Sequence, residues 1–270
     1  MAQSAGVVTG EQAKSITRST SAIAKTLEDF TPEQEYYIGR SVGAVIVNRY
    51  RPYPNAQANI YLDLLGQSLA QASDRPETFG GYYFLILDSD EINAFAAPGG
   101  LIFVFRGMLR CCRSEDAVAA VLAHEIAHIQ LRHGIRSIEK GRQTQALTIL
   151  AAEGAKTFGK KELADLTRTF EGSIIDITST LINNGYSRTF EQAADASAVR
   201  TLSSTGYNPN ALVAMLREME KRLKPGGLDF AKTHPSPRSR IEDIESLVGR
   251  SALTEPPARQ ARFRKVMENI

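Results

Sequence analysis

His124-Glu125-Ile126-Ala127-His128 directly follows an unbroken apolar run, Ala117–Ala123 (AVAAVLA). Residues four apart on an α-helix are offset by only about 40°, at roughly 100° per residue, so both imidazoles face one point. The apolar approach makes this a core helix, where a metal ion is sheltered from water. Zn²⁺ takes neutral imidazole nitrogens at about 2.0–2.1 Å, and the pair supplies two of them. Glu125, one position round, does not share the metal but reaches a water bound to it, as general base toward a peptide carbonyl. Metal binding brings the pKa of that water to about 7. The chain has four histidines, so a chance match has an expectation on the order of a few in a thousand.

A catalytic zinc needs a third protein ligand while keeping one position open. His133 lies nine residues after His124. Along one continuous helix that is a rotation of about 900°, which puts His133 on the opposite face. The extended motif that recruits a third histidine places a glycine before it to turn the chain back. Here Gly134 comes after, so His133 is expected as a cation at the helix C-terminus and Gly134 as the stop. Glu191 is the better third ligand. It lies in Ser187-Arg188-Thr189-Phe190-Glu191-Gln192-Ala193-Ala194-Asp195, with Asp195 one turn later on the same face. Asp195 can accept the spare N–H of a ligating histidine and fix its tautomer.

The chain of 270 residues carries 32 Lys+Arg against 30 Asp+Glu, a net charge of +2. That near-balance argues against a nucleic-acid binder. No run approaches the 18 or so apolar residues of a bilayer span, and no charged-then-apolar leader opens the chain. Cys111 and Cys112 are adjacent, so they cannot frame long-range disulfides with each other; buried structural thiols are expected.

Thr31-Pro32-Glu33-Gln34 reads as a capping box opening a helix to about Tyr50, and Asn55 as the cap of a second. Three short apolar runs follow, Tyr82–Leu87, Ile92–Ala96 and Leu101–Phe105, broken by Asp88-Ser89-Asp90 and Pro98-Gly99-Gly100. The connections are too short for a helix, which predicts an antiparallel sheet. Ser114 with Glu115 and Asp116 opens the helix of the histidine motif. Residues 135–185 read as helical with a polar break near Gly159-Lys160-Lys161, and further helices start near Ser187 and Ala211. Lys224–Arg240 reads as loop. The fold class is α+β, mostly α, with a small antiparallel sheet beside the histidine-motif helix. Its expected divisions are a flexible arm over 1–30, a metallopeptidase domain over 31–250 and a C-terminal tail over 251–270.

Four segments together carry a more specific message: Asn93–Gly100 (NAFAAPGG), 124–134 (HEIAHIQLRHG), 185–195 (GYSRTFEQAAD) and Thr233-His234-Pro235. The chain resembles the HtpX/Oma/CAAX-prenyl-protease-type gluzincin metallopeptidases over about residues 30–245. The resemblance implies a zincin-like fold and a zinc-dependent metalloendopeptidase. One Zn²⁺ per chain would be held by His124, His128 and Glu191, with Glu125 as catalytic base and Asp195 behind the ligands. Asn93, Ala94, Phe95 and Ala96 read as an exposed edge strand that binds extended substrate by strand addition, which suits unfolded or misfolded polypeptides. Relatives place a Thr-His-Pro near the metal. His234 would then be either an oxyanion donor or a ligand in zinc's open position in a self-inhibited form. Tyr186 is an alternative donor. Arg188 and Arg238 read as surface charges. Family members without membrane spans point to the periplasm, with a leader absent from this sequence and envelope proteins as partners; a cytosolic home stays open. The alternative from another class is a latent zinc-binding, chaperone-like protein that uses the same edge strand.

Overall fold

The computed structural model describes residues 30–137, 177–222, 234–249, 255–268 and 270. The N-terminal arm up to residue 29, the helices expected over 138–176 with their break at Gly159-Lys160-Lys161, and Thr233 lie outside these residues.

Helix α1, Pro32–Arg49, begins as its sequence demands. The Thr31 hydroxyl accepts the Gln34 N–H at 3.2 Å, and the Gln34 side chain accepts the Thr31 N–H at 3.1 Å. Helix α2, Ala56–Gln71, is capped by Asn55, whose Oδ1 accepts the Ala58 N–H at 3.0 Å. Each such cap is worth about 1 kcal/mol.

Strands β1 (Tyr83–Leu87), β2 (Ala94–Ala97) and β3 (Leu101–Phe105) form one sheet in the order β1-β3-β2. The sheet is mixed, which corrects the antiparallel expectation. β2 runs antiparallel to β3, from Ala94 opposite Val104 to Ala97 opposite Leu101. β1 runs parallel to β3, from Tyr83 opposite Leu101 to Leu87 opposite Phe105. The expectation assumed that successive strands pair. Instead the Asp88–Asn93 connection steps past the site of β3, β2 returns along the far side, and β3 fills the gap. The returning strand serves as the crossover, so the parallel pair needs no helix.

Alternate strand residues feed two apolar clusters, as the pleat requires. Phe84, Ile86, Ile102 and Val104 join α2 and the helices behind it. Leu87, Phe95, Phe103 and Phe105 face Ile38, Val42 and Ile46 of α1. Burial on both faces explains why the strands read as continuous apolar runs rather than alternating ones.

Between β2 and β3 the chain makes a single 3₁₀ turn, Pro98–Gly100, across which α1 passes. A Cβ on Gly39 would land on the Pro98 carbonyl, so no larger residue fits there. Gly99 holds a positive φ of 79° within that turn.

Helix α3, Glu115–Gln130, is capped by Ser114, and every residue from Glu115 to Ile129 is buried. Alanines at 117, 119, 120, 123 and 127 let neighbours approach closely, and its main partner is α4, Arg188–Ser204. The end of α3 differs from expectation. Leu131 is the C-cap, Arg132 adopts φ 55°, and a new helical turn covers 133–137. Gly134 therefore lies inside a helical turn and stops nothing. Arg132 takes the left-handed role usually left to glycine because its side chain is anchored, donating to Phe30 O at 2.7 Å and lying 3.3 Å from the buried Glu35 carboxylate.

Helices α5 (Asn210–Arg222), α6 (Pro237–Val248) and α7 (Pro257–Met267) follow. The loop expected to reach Arg240 ends at Ser236, whose hydroxyl accepts the Ser239 N–H at 3.3 Å with Pro237 in the first turn. The segment expected as a tail carries α7, which docks on α2 and α3. Arg262 makes a fork to the buried Glu115 carboxylate at 2.6 and 3.1 Å, and Arg259 reaches Asp116 at 3.2 Å. Among the described residues no helix is long and apolar enough to cross a membrane.

Candidate metal centre

Helix α3 delivers His124 and His128 to one point, with their Nε2 atoms 3.1 Å apart. Helix α4 brings Glu191 against both: Oε2 lies 3.5 Å from His124 Nε2 and Oε1 3.4 Å from His128 Nε2. His234, just before α6, places Nδ1 2.8 Å from Glu191 Oε2. One donor atom from each of these four buried residues lies within 4.8 Å of the others. Donors about 2.0–2.1 Å from a tetrahedral ion stand roughly 3.3 Å apart, which the His-His-Glu spacings match. Glu191 Oε1 is buried with no hydrogen-bond partner. An unpaired carboxylate oxygen beside two imidazole nitrogens is costly unless a cation completes it. The donor set fits a metal ion.

Charges around the cluster are ordered by the same contacts. Burial and Arg240 oppose a positive His124, but Asp195 and Glu191 outweigh them and push its pKa up to about 9. Burial drives His128 well below the ordinary histidine range despite Glu191. Burial alone would raise Glu191, yet His234, His124 and His128 hold it well below the usual carboxylate range. Glu125 is buried and absent from the donor cluster, and burial raises its pKa. That makes it a stronger base than a solvated glutamate.

Behind the donors stand residues in contact with them. Asp195 Oδ1 lies 2.9 Å from His124 Nδ1. Arg240 of α6, itself buried, clamps Asp195 with bonds of 2.6 and 2.9 Å. His133 Nδ1 lies 2.9 Å from His128 Nδ1. The expected helix-end cation is thus a fully buried ring, its pKa lowered to about 4 by burial and then by Arg136. The reason is the reversal at Arg132, which breaks the helical register assumed for it. Tyr186 stacks on His128 with centroids 4.4 Å apart, and its hydroxyl is buried without a partner.

Residues 56–248 match peptidase family M48. This chain belongs to the M48 family. It is 30% identical over 192 residues to the beta-barrel assembly-enhancing protease of Escherichia coli, covering 69% of this chain and 38% of that protein. It is 35% identical over 159 residues to the mitochondrial metalloendopeptidase OMA1 of Schizosaccharomyces pombe, covering 57% and 42%. With the putative beta-barrel assembly-enhancing protease of Vibrio cholerae it shares 32% over 220 residues, covering 79% and 44%. The chain spans less than half the length of these relatives.

Two residues in contact with this cluster were missed from the sequence, Arg240 and His133. Ser236-Pro237, a cap followed by a first-turn proline, was a readable helix start that would have put Arg240 on α6. Nothing local marks the turn that redirects His133. The substrate-strand residues Asn93, Ala94, Phe95 and Ala96 are at the sheet edge beside α3, but all are buried, not exposed. Ile177 and Leu181 share the apolar cluster of Phe95. Arg188 pairs with Asp243 and Arg238 with Glu220 at the surface. Cys111 and Cys112 are buried thiols, and burial pushes Cys111 up to about 11, which makes it inert at neutral pH.

Proposed function

We propose that this chain is the catalytic domain of a zinc-dependent endopeptidase acting on unfolded or misfolded polypeptides. The observation that carries this reading is the convergence of His124, His128 and Glu191 beside Glu125 on the same helix. Two neutral imidazoles and one carboxylate are a donor set that suits zinc. When bound, zinc supplies a Lewis acid and a coordinated water with a pKa of about 7. His124, His128 and Glu191 would hold it, and Asp195 and Arg240 keep His124 in the ligating orientation. Glu125 takes the proton from the attacking water and passes it to the leaving amine. β2 receives an extended peptide along its outer edge. What supports this is its packing against α3 and the absence of a second strand partner among the described residues. Because its side chains are buried, recognition there is by backbone hydrogen bonds and carries little sequence preference. The names of the bacterial relatives support a home in the bacterial envelope, among polypeptides destined for β-barrels.

A second reading is favoured by one observation: His234 lies within the donor cluster, close enough to complete the coordination itself. A latent form, closed by His234 and binding extended chains without cutting them, follows from it.

Casein digestion by the chain and by Glu125→Gln, with bound zinc quantified in both, separates these. Loss of cleavage in the variant with about one zinc per chain retained supports the proposed base. Zinc in both without cleavage by either leaves the latent form, and no zinc in either overturns the metal site.

A further inference from the structure

His133 is fully buried, five residues beyond His128, and faces it Nδ1 to Nδ1 at 2.9 Å. On an uninterrupted helix residues five apart diverge by roughly 140° and their rings cannot meet. They meet because Arg132 turns the chain through φ 55°, alone among the described non-glycine residues in having a positive φ. Left-handed backbone is strained at such a residue. Here it is held by Phe30 O and Glu35, and Arg75, which grips Glu35, also donates to the Ile129 carbonyl at the helix end at 3.2 Å. A strained residue so heavily anchored points to a purpose for what it positions. The His133 ring is also fixed in plane, stacked on Phe190 with centroids 4.3 Å apart and an interplanar angle of 1°.

Of two Nδ1 atoms at hydrogen-bond distance, one must carry the proton. For His128 to offer Nε2 as a lone pair, its proton must be on Nδ1. We propose that His133 is the positioning residue that fixes the tautomer of His128, its Nδ1 accepting the His128 Nδ1–H so that Nε2 faces the metal. The inference rests on His128 being a ligand, as argued above. His133 then carries its own proton on Nε2, which is buried without a partner. That orphan donor is a cost borne to hold the ligand. The two ligating imidazoles are thus aimed by unlike partners, His124 by a carboxylate and His128 by a neutral ring. Partners of this kind typically govern metal affinity by about 10–100-fold.

The test is zinc affinity of the full chain, measured by competition with a chromophoric chelator. His133→Phe keeps a ring against Phe190 and removes the acceptor; His133→Asn sets an amide oxygen where Nδ1 stood. The expected result is affinity weakened about 10–100-fold in the Phe variant and largely recovered in the Asn variant. Unchanged affinity in His133→Phe overturns the proposal, as does equal weakening in both folded variants, which would mean packing alone. Should either variant fail to fold, long-range ¹H–¹⁵N spectra of the unaltered zinc-loaded chain decide. They are expected to show His133 protonated on Nε2 and His128 on Nδ1, and the opposite assignment overturns the proposal. If the unaltered chain binds no zinc, what fails is the reading of the metal site itself.

Discussion

His234 is the cluster residue that comes from neither α3 nor α4, and its Nδ1 leans on the Glu191 carboxylate at 2.8 Å. An imidazole so placed completes a fourth donor more readily than it awaits an oxyanion. His234→Ala is therefore expected to raise casein turnover, measured at saturating zinc. A fall on the order of 10²–10³ in rate would instead identify it as an oxyanion donor. At this scale the sequence was most readable where geometry is local. The spacing of His124 and His128 and that of Glu191 and Asp195 are both one helical turn, so each pair could be placed on a face without knowing the fold. His133 was misread because its direction depends on Arg132, whose anchors Phe30 and Glu35 come from the opposite end of the described chain. Arg240 was missed because glycines and prolines from Lys224 onward read as loop, although Ser236-Pro237 starts a helix.

Among the elements, the crossing of α1 over the Pro98–Gly100 turn is the tightest constraint near the site. Gly39→Ala forces a methyl group into the Pro98 carbonyl, so the helix or the turn must shift. Overpacking of this kind costs about 1–3 kcal/mol, to be read as a lower urea midpoint at unchanged slope. A Gly39→Ala variant as stable as its parent would mean that α1 can lift off the turn. Helix starts were legible at this scale because a cap is a short-range hydrogen bond; Thr31, Asn55, Ser114 and Ser187 all accept as their positions suggest. Strand order was not legible. Which of three apolar runs occupies the middle depends on burial against α1 on one face and α2 with α3 on the other. No residue inside the runs announces that.

At the scale of the molecule, the candidate donors join α3 to α4 across a long stretch of chain, so an ion held by them would close a site that exists only in the folded state. Zinc should therefore act as a stabiliser. At free zinc near 1,000 times its dissociation constant the gain is about 4 kcal/mol, visible as a rise in Tm that a chelator reverses. A Tm indifferent to zinc and chelator would show that the folded chain does not bind the ion. The mixed sheet has a consequence for synthesis. β3 is the last of the three strands in the chain, yet among the described strands both others pair with it alone. Neither β1 nor β2 has its partner in this sheet until β3 has left the ribosome, so the sheet is completed only once Phe105 is made. Glu115, the first residue of α3, emerges within ten residues of that point. The helix that carries both histidines thus begins to form just as the platform beneath it is finished.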